Sequence, residues 1–273
     1  MGFLINPYSV AAASGGYLLD EYPGAGMAFS LRLLDSGYSG AAIRVREDSG
    51  DTEADIGFDG NGDLDETALL AHCGSADGLI VQWYDQSGNG RDWSMTSPLS
   101  AQPQIVTGSA VNKVNGKPAI KLGSGKKLLT ADFDMSGFSA STHFSVQDLE
   151  LAPEYKIPWL SGGAWYYGIM QISGTSAPDA NSGSPDYYKN GSGSAVTPDT
   201  RGALWTAFVA PEAQTLLTIL DLDLDAWLRY KINGYAPTLD FTGHIQENII
   251  YDSDQTANKG DIEDNINAYY SIY

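Results

Sequence analysis

Acidic side chains at alternating positions are the first feature of this sequence that could support chemistry. Asp221, Asp223 and Asp225 alternate with leucines, so in a strand the three carboxylates would share one face. Neighbouring carboxylates on that face would be roughly 7 Å apart and would repel one another. The pattern fits a solvated face, a cation site or a pair of catalytic acids, and the residues alone leave all three open.

A second acidic run begins like a calcium-binding loop, because Asp59, Asn61 and Asp63 carry oxygens at alternate positions. Leucines occupy the sixth and twelfth positions, where an EF-hand requires glycine and glutamate. We therefore expect a turn that presents Asp65 as the N-cap of a short helix over 65–72. Calcium bound at Asp59, Asn61 and Asp63 is the alternative, and we expect no other cofactor.

The three histidines indicate neither a metal site nor a catalytic triad. His72, His143 and His244 are scattered along the chain without the spacing of zinc ligands. No G-x-S-x-G nucleophile motif occurs. We therefore predict no catalytic residues from these side chains.

Aromatic residues border a long polar loop over 173–202 and could form a platform for a sugar ring. Aromatic faces pack on the apolar side of sugars while amides and carboxylates bind the hydroxyl groups. The core or a subunit contact is the alternative location for such a cluster. The predicted glycan-binding residues are Trp165, Tyr166, Tyr167, Gln171, Tyr187 and Tyr188.

The most informative segment is the run from Trp83 to Asp92, which follows the apolar residues 79–81. It predicts a buried strand that enters a tight polar turn, in which the Asn89–Gly90 pair is suited to positive φ. Asp85, Gln86 and Asn89 are the characteristic side chains of this turn.

This segment resembles the Y-D-Q-S-G-N-G stretch in the β-sandwich domain of family 54 α-L-arabinofuranosidases. Residues 38–46 resemble the Y-S-G-x-x-x-x-V-R opening of that domain, which a short helix precedes, and residues 115–120 and 243–251 resemble later strands. The family has a cysteine at the position of Cys73, but Gly78 stands where its partner would be, so the implied disulfide cannot form.

The resemblance also implies where catalytic residues should lie. The segment Ile169–Ile172 is the nearest counterpart of the family's nucleophile strand, and it carries Gln171 instead of glutamate. The family's Gly-Gly-Asp turn is absent. A retaining glycosidase needs two carboxyl groups at roughly 5 Å separation, whereas an amide can only hydrogen-bond a sugar hydroxyl. The resemblance therefore implies a retained fold without hydrolysis.

Composition and charge favour one all-β domain and exclude some partners. The 273 residues include 31 glycines and 16 tyrosines, which suits short strands joined by tight turns. A formal net charge of −19 repels nucleic acid and anionic membrane surfaces. We find neither a basic signal-peptide start nor a transmembrane segment in the sequence, and we expect no membrane insertion.

We expect a concanavalin A-like β-sandwich (jelly roll) of two antiparallel sheets over 27–273, preceded by an N-terminal arm over 1–26 that could anchor an assembly. Short helices are expected near 27–34, 65–72 and 259–271. The last of these has apolar residues at helical spacing and acidic residues near its start.

The ending, from residue 251, also resembles the tails of laminin-G-like and concanavalin-like domains in bacteriophage tail and fibre proteins. The leading expectation is therefore a catalytically inactive virion protein, on the tail fibre or decorating the capsid, that binds host-surface glycans in many copies. It would contact other virion proteins or itself. The alternatives are an arabinofuranosidase-like hydrolase with carboxylates relocated to Asp221, Asp223 or Glu247, and a purely architectural virion subunit.

Overall fold

The computed structural model describes residues 16–150, 159–161, 183–197, 199–209, 213–233 and 240–273. Its helices are α1 (Leu18–Glu21), α2 (Glu66–Cys73), α3 (Arg201–Val209) and α4 (Lys259–Tyr270), with a 3-10 turn at Leu99–Ala101. Its strands are β1 (Ala25–Ser30), β2 (Ile43–Glu47), β3 (Glu53–Ile56), β4 (Gly78–Trp83), β5 (Trp93–Ser94), β6 (Gln104–Thr107), β7 (Ala110–Val111), β8 (Lys113–Val114), β9 (Lys117–Pro118), β10 (Ile120–Leu122), β11 (Leu128–Leu129), β12 (Ser141–Leu149), β13 (Trp159–Ser161), β14 (Gly183–Lys189), β15 (Thr215–Leu222), β16 (Tyr230–Ile232) and β17 (Gly243–Tyr251).

The predicted antiparallel β-sandwich is confirmed, with its layers joined into one curled sheet. Fifteen of the described strands are hydrogen-bonded in the order β13-β16-β11-β5-β4-β6-β10-β17-β12-β15-β14, with β1 on β17, β2 on β4, β3 on β2, and β7 on β6. Strands β8 and β9 form a separate hairpin. The sheet continues from one layer to the other because β10 pairs with β6 on one side and with β17 on the other.

The core between the layers is built on stacked aromatic rings. Phe29 of β1 stacks on Trp93 of β5 with ring centroids 4.3 Å apart, and Trp93 stacks in turn on Tyr230 of β16. Trp227 also stacks on Tyr230, with ring centroids 5.5 Å apart. These large buried rings hold the two layers at a fixed separation.

Strand β1 replaces the helix that the sequence predicted near 27–34. Met27 and Phe29 enter the inner core while Ala28 packs on the opposite face, the alternation of a strand. Residues 25–30 pair with β17, which is more than 210 positions away in the chain. The helix prediction was wrong because this long-range pairing decides the conformation of a segment whose local pattern suits either element.

The other two predicted helices are present. The Asp65 carboxylate accepts the Ala68 N–H at 2.9 Å and caps α2, as its position before the helix predicted. Helix α4 buries Ile262, Ile266 and Tyr270 against the outer face of the sheet. None of the helices in the described ranges is long and apolar enough to cross a membrane.

Part of the predicted arm belongs to the packed structure. Residues 1–15 lie outside the described residues, but Leu18 and Leu19 of α1 are buried in the same cluster as helix α4. The Leu19 N–H also donates to the Leu34 carbonyl at 2.7 Å. The packed fold therefore includes residues before position 27.

Candidate functional site

The turn after β4 binds the free edge of β1 with its side chains. The Asp85 carboxylate accepts the N–H groups of Ala28 and Ser87, both at 2.9 Å, and that of Arg91 at 3.0 Å. The Gln86 side chain accepts the Leu34 N–H and donates to the carbonyls of Ser30 and Arg32. Among the described strands β1 pairs with β17 alone, so this turn covers an edge that would otherwise be open.

Asn89 completes this edge cover, and glycines supply the unusual backbone of the turn. The Asn89 amide donates to the carbonyls of Ala25 and Gly26, both at 3.1 Å. The positive φ angles fall at Gly88 (+84°) and Gly90 (+68°). The sequence predicted positive φ within the Asn89–Gly90 pair, and in the structure only Gly90 of these two residues adopts it. Asp85, Gln86 and Asn89 therefore have structural roles in the described fold.

The end of the same turn forms one wall of a surface pocket of about 420 Å³. Residues 89–92 and Ser94 line this side, and residues 130–133 line the other. The second wall is fixed by backbone hydrogen bonds, from Thr130 N–H to the Tyr230 carbonyl and from Phe133 N–H to the Leu228 carbonyl, both at 3.0 Å. The pocket thus lies where two sequence-distant segments meet.

Six of the nine residues that line the pocket have polar side chains, and one has an aromatic ring. Asp92 accepts the Asp85 N–H on one oxygen, at 2.8 Å, and the Gln82 amide on the other, at 2.6 Å. Asp132 forms an ion pair with Arg229. Phe133 contributes the ring. Both pocket carboxylates are therefore already engaged by protein donors.

Arg91 is held against the aromatic part of the pocket. Its Nη1 donates to the Gly26 carbonyl at 2.8 Å. Its guanidinium carbon lies 4.6 Å from the centroid of the Phe133 ring and 5.3 Å from that of Phe138. Cation–π contact and a backbone hydrogen bond together restrict the side chain to one position.

A strip of polar side chains crosses the inner face of the sheet. His143, Ser145 and Gln147 alternate along β12, and Asn248 of β17 lies directly opposite Ser145. All four are buried. Among the described residues, the Ser145 hydroxyl and the Gln147 side-chain amide have no hydrogen-bond partner. Burial lowers the pKa of His143 to about 3, while the Asn248 side chain opposes that shift.

Two of the relocated carboxylates of the hydrolase alternative, Asp221 and Glu247, do not form a catalytic pair. Glu247 is buried in an ion pair with Arg32, with Nε and Oε2 2.9 Å apart. Val146 lies opposite both Glu247 and Leu216 in the sheet. Asp221 is five residues beyond Leu216, or roughly 16 Å along the strand, whereas catalytic carboxyl groups lie no more than about 9.5 Å apart.

The predicted run of carboxylates on one strand face is also interrupted. Strand β15 ends at Leu222, and Asp221 has a φ of +56°, where the pairing with β12 shifts register. Beyond the strand, Asp223 accepts the Asp225 N–H at 3.0 Å in a turn. The leucines of this run, Leu220, Leu222 and Leu224, are all buried. The predicted alternation of buried leucines with more exposed aspartates is therefore present, although the strand itself ends at Leu222.

The structure corrects one member of the predicted sugar platform, Tyr187. Trp165, Tyr166, Tyr167 and Gln171 lie outside the described residues. Tyr187 is 2% exposed and packs on Phe208, because it pairs with Ile219 and so faces the inner core. One face of the Tyr188 ring is covered by the Lys259 ammonium, 4.2 Å from its centroid.

The oxygens of the candidate calcium loop hydrogen-bond within the protein. Asp59 accepts the N–H groups of Asn61 at 2.8 Å and Asp63 at 3.0 Å, and the Asn61 N–H is the main cause of a lowered pKa of Asp59. Asp63 accepts the Tyr269 hydroxyl and lies 3.5 Å from the Lys117 ammonium. No cluster of three or more metal-ligating side chains occurs among the described residues.

Comparison with known proteins identifies the fold. No protein-family model matches this sequence, and no curated protein matches it. A variant of a family 54 α-L-arabinofuranosidase, in which one glutamate is replaced by glutamine, superposes with a TM-score of 0.57 at 17% identity. The fold is that of the family 54 arabinofuranosidases.

Two further arabinofuranosidase structures agree. The enzyme soaked with a cyclic sulfate inhibitor gives a TM-score of 0.56 at 17% identity, and an arabinofuranosidase complexed with an arabinofuranosyl xylobiose gives 0.54 at 14%. Each superposition covers 89% of this chain and 62% of the other, so this chain spans less than two thirds of the length of these enzymes.

The sequence pattern indicated one wall of the pocket and gave no sign of the other. The polar turn that ends in Arg91 and Asp92 was visible as a motif, although its pocket-facing residues were not singled out. Thr130, Asp132 and Phe133 carry no motif. Their position depends on hydrogen bonds to residues 228–230, a hundred positions later in the chain.

Proposed function

We propose that this chain is a non-hydrolytic glycan-binding β-sandwich, and that the pocket between residues 89–94 and 130–133 is its binding site. The carrying observation is the lining of that pocket, in which hydroxyl, amide, carboxylate and guanidinium groups surround one aromatic ring. This mixture suits a ligand with many hydroxyl groups and an apolar ring face.

Three features support binding without hydrolysis. The two pocket carboxylates, Asp92 and Asp132, already interact with protein donors. The suggested catalytic acid Glu247 is enclosed in an ion pair. The resemblance aligns Gln171 with the nucleophile. A retaining glycosidase requires one carboxylate able to attack and one carboxyl group able to donate a proton.

The test is a steric block of the pocket, combined with a glycan array and affinity measurements on the glycans that bind. Ala131 is exposed and lines the pocket, so Ala131→Trp should fill it without removing a hydrogen bond. Ala71→Trp, on the exposed face of α2, is the matched control. We expect the pocket variant to lose glycan binding and the control to retain it. Equal binding by both variants, or no glycan signal for the wild type, would reject the proposal.

Hydrolysis is the second candidate function, because two carboxylates line one pocket. Aryl arabinofuranosides and arabinan are the substrates to test, given the fold. Turnover by the wild-type protein that disappears in Asp92→Asn or Asp132→Asn would replace the binding proposal with a hydrolase. Absence of turnover at high protein concentration would support binding alone.

The proposed biological setting is a bacteriophage particle, on a tail fibre or as a capsid decoration. This setting is supported only by the resemblance of the sequence from residue 251 onward to domains of phage tail and fibre proteins. Many copies would convert weak binding at single sites into firm attachment. Mass spectrometry of purified particles should detect the chain, and antibodies against it should block adsorption. Its absence from purified particles would reject this setting, and a purely architectural subunit would leave adsorption unaffected by the antibodies.

A further inference from the structure

Arg91 differs in its electrostatic partners from the other arginines whose side chains the structure describes. Four other arginines have described side chains, and each forms an ion pair with a carboxylate: Arg32, Arg44, Arg46 and Arg229. Arg91 has no carboxylate oxygen within 4 Å among the described residues. In a chain of net charge −19, a guanidinium without such a partner in a pocket is unusual.

The hydrogen bonds of Arg91 leave one edge of its guanidinium available. Nη1 is occupied by the Gly26 carbonyl. Nε and Nη2 donate to no acceptor in the described part of the chain. These two N–H groups form a planar fork, which matches the two oxygens of a carboxylate. The rings of Phe133 and Phe138 hold this fork in place before any ligand arrives.

The acidic side chains of the pocket do not occupy this fork. Arg229 balances the charge of Asp132. Asp92 accepts two hydrogen bonds from the protein itself, one from the Gln82 amide and one from the Asp85 N–H. A sugar carboxylate could therefore reach Arg91 without displacing an existing ion pair, and its charge would be neutralised there.

We infer that the pocket selects acidic sugars of the uronate class, whose carboxylate is bound by Arg91. The inference rests on the proposed glycan-binding function and adds the chemical class of the ligand. The hydroxyl groups of the sugar would be bound by Ser94 and by the side-chain oxygen of Asn89, whose amide N–H groups are occupied by the Ala25 and Gly26 carbonyls. Phe133 would contact its ring.

Calorimetry with oligogalacturonate and with the same oligosaccharide after reduction of its carboxylates tests this inference. We expect the wild-type protein to bind the uronate at least about tenfold more tightly, because a hydrogen bond to a charged group is stronger than one between neutral groups. Arg91→Gln should abolish this preference, and Arg91→Lys should keep only part of it. Arg44→Gln removes an equal charge from an exposed site outside the pocket and should leave the preference for the uronate unchanged.

The outcomes separate this inference from the proposed function. If the reduced oligosaccharide binds as tightly as the uronate, and Ala131→Trp abolishes both, the binding function stands and the acidic ligand class is wrong. If neither oligosaccharide binds although the array shows another glycan bound, the uronate class is wrong and the binding function stands; no signal on the array would reject both. A sulfated oligosaccharide that binds as tightly as the uronate would overturn the assignment to carboxylates. Melting temperatures of the variants show that each is folded during the measurement.

Discussion

The guanidinium of Arg32 and the carboxylate of Glu247 form a two-point ion pair beneath helix α4. Nε lies 2.9 Å from Oε2 and Nη2 lies 3.1 Å from Oε1. Ser30 donates its hydroxyl to the same carboxylate at 2.6 Å, and the Tyr270 hydroxyl of α4 lies 3.3 Å from it. The pair therefore connects the end of β1, strand β17 and the closing helix.

Removal of one partner of this pair should destabilise the protein strongly. Glu247→Gln leaves the buried Arg32 charge without its carboxylate, and we expect a loss of about 3–5 kcal/mol in the free energy of unfolding. Lys113→Met, which breaks the exposed pair with Glu66, should cost about 1 kcal/mol or less. Urea unfolding measures both. Similar losses in the two variants would contradict the structural role of Glu247.

Asp85 should stabilise the fold through the edge of β1. Asp85→Ala leaves the N–H groups of Ala28, Ser87 and Arg91 without their acceptor, and we expect a loss on the order of 3 kcal/mol. The uncovered strand edge should also promote aggregation. Asp59→Ala, in an exposed turn, is the control and should cost about 1 kcal/mol or less. Urea midpoints and light scattering test both expectations, which a fully stable, monodisperse Asp85→Ala protein would refute.

A disulfide can be introduced where the sequence lacks one. A Cβ atom added at Gly78 would lie 2.8 Å from the Cys73 sulfur, close to the separation of about 3 Å between one Cβ and the opposite sulfur of a disulfide. Gly78→Cys should therefore oxidise and stabilise the protein by about 2 kcal/mol in the chain-entropy model. Val106 must move slightly, because its Cβ would be 3.0 Å from the new atom.

Thiol titration and melting curves with and without reductant measure this effect. The oxidised Gly78→Cys protein should contain no free thiol and should melt at a higher temperature than its reduced form. Gly78→Ser reproduces the added bulk without a sulfur, so it isolates the steric cost. Two titratable thiols under oxidising conditions would show that the predicted geometry is wrong.

His143 should make stability depend on pH below neutrality. Burial lowers its pKa to about 3 in the folded protein, against 6.5 for an ordinary histidine. Between these values the unfolded chain binds a proton that the folded protein does not, so stability falls as pH decreases. The expected loss between pH 7 and pH 5 is about 2 kcal/mol from this residue, at about 1.4 kcal/mol per pH unit below 6.5.

The variant His143→Gln should lack this part of the pH dependence. Burial also lowers the pKa of His244, which contributes with the same sign in both proteins, so the difference between them isolates His143. Urea unfolding at pH 7 and pH 5 measures it. An equal loss of stability in the wild type and the variant would show that His143 does not remain neutral in the fold.

Local patterns predicted several elements correctly because the interactions that form them are local. Asp65 caps α2 through an N–H three residues away, and helix α4 follows from the 3.6-residue spacing of Ile262, Ile266 and Tyr270. The run before Trp83 became the buried strand β4 for the same kind of reason. The helix predicted near 27–34 is wrong because the conformation of this segment depends on pairing with the distant strand β17.

The sequence by itself determined the polar turn and its position directly after a buried strand, since strand alternation and turn chemistry act over a few residues. Only the tertiary structure decided what the turn does. Its Asp85, Gln86 and Asn89 side chains bind β1 about sixty positions earlier. Its last residues meet 130–133 to form a pocket, because the curled sheet brings both segments beside residues 228–230. Contacts between such distant segments are set by packing of the whole sheet, which no local pattern records.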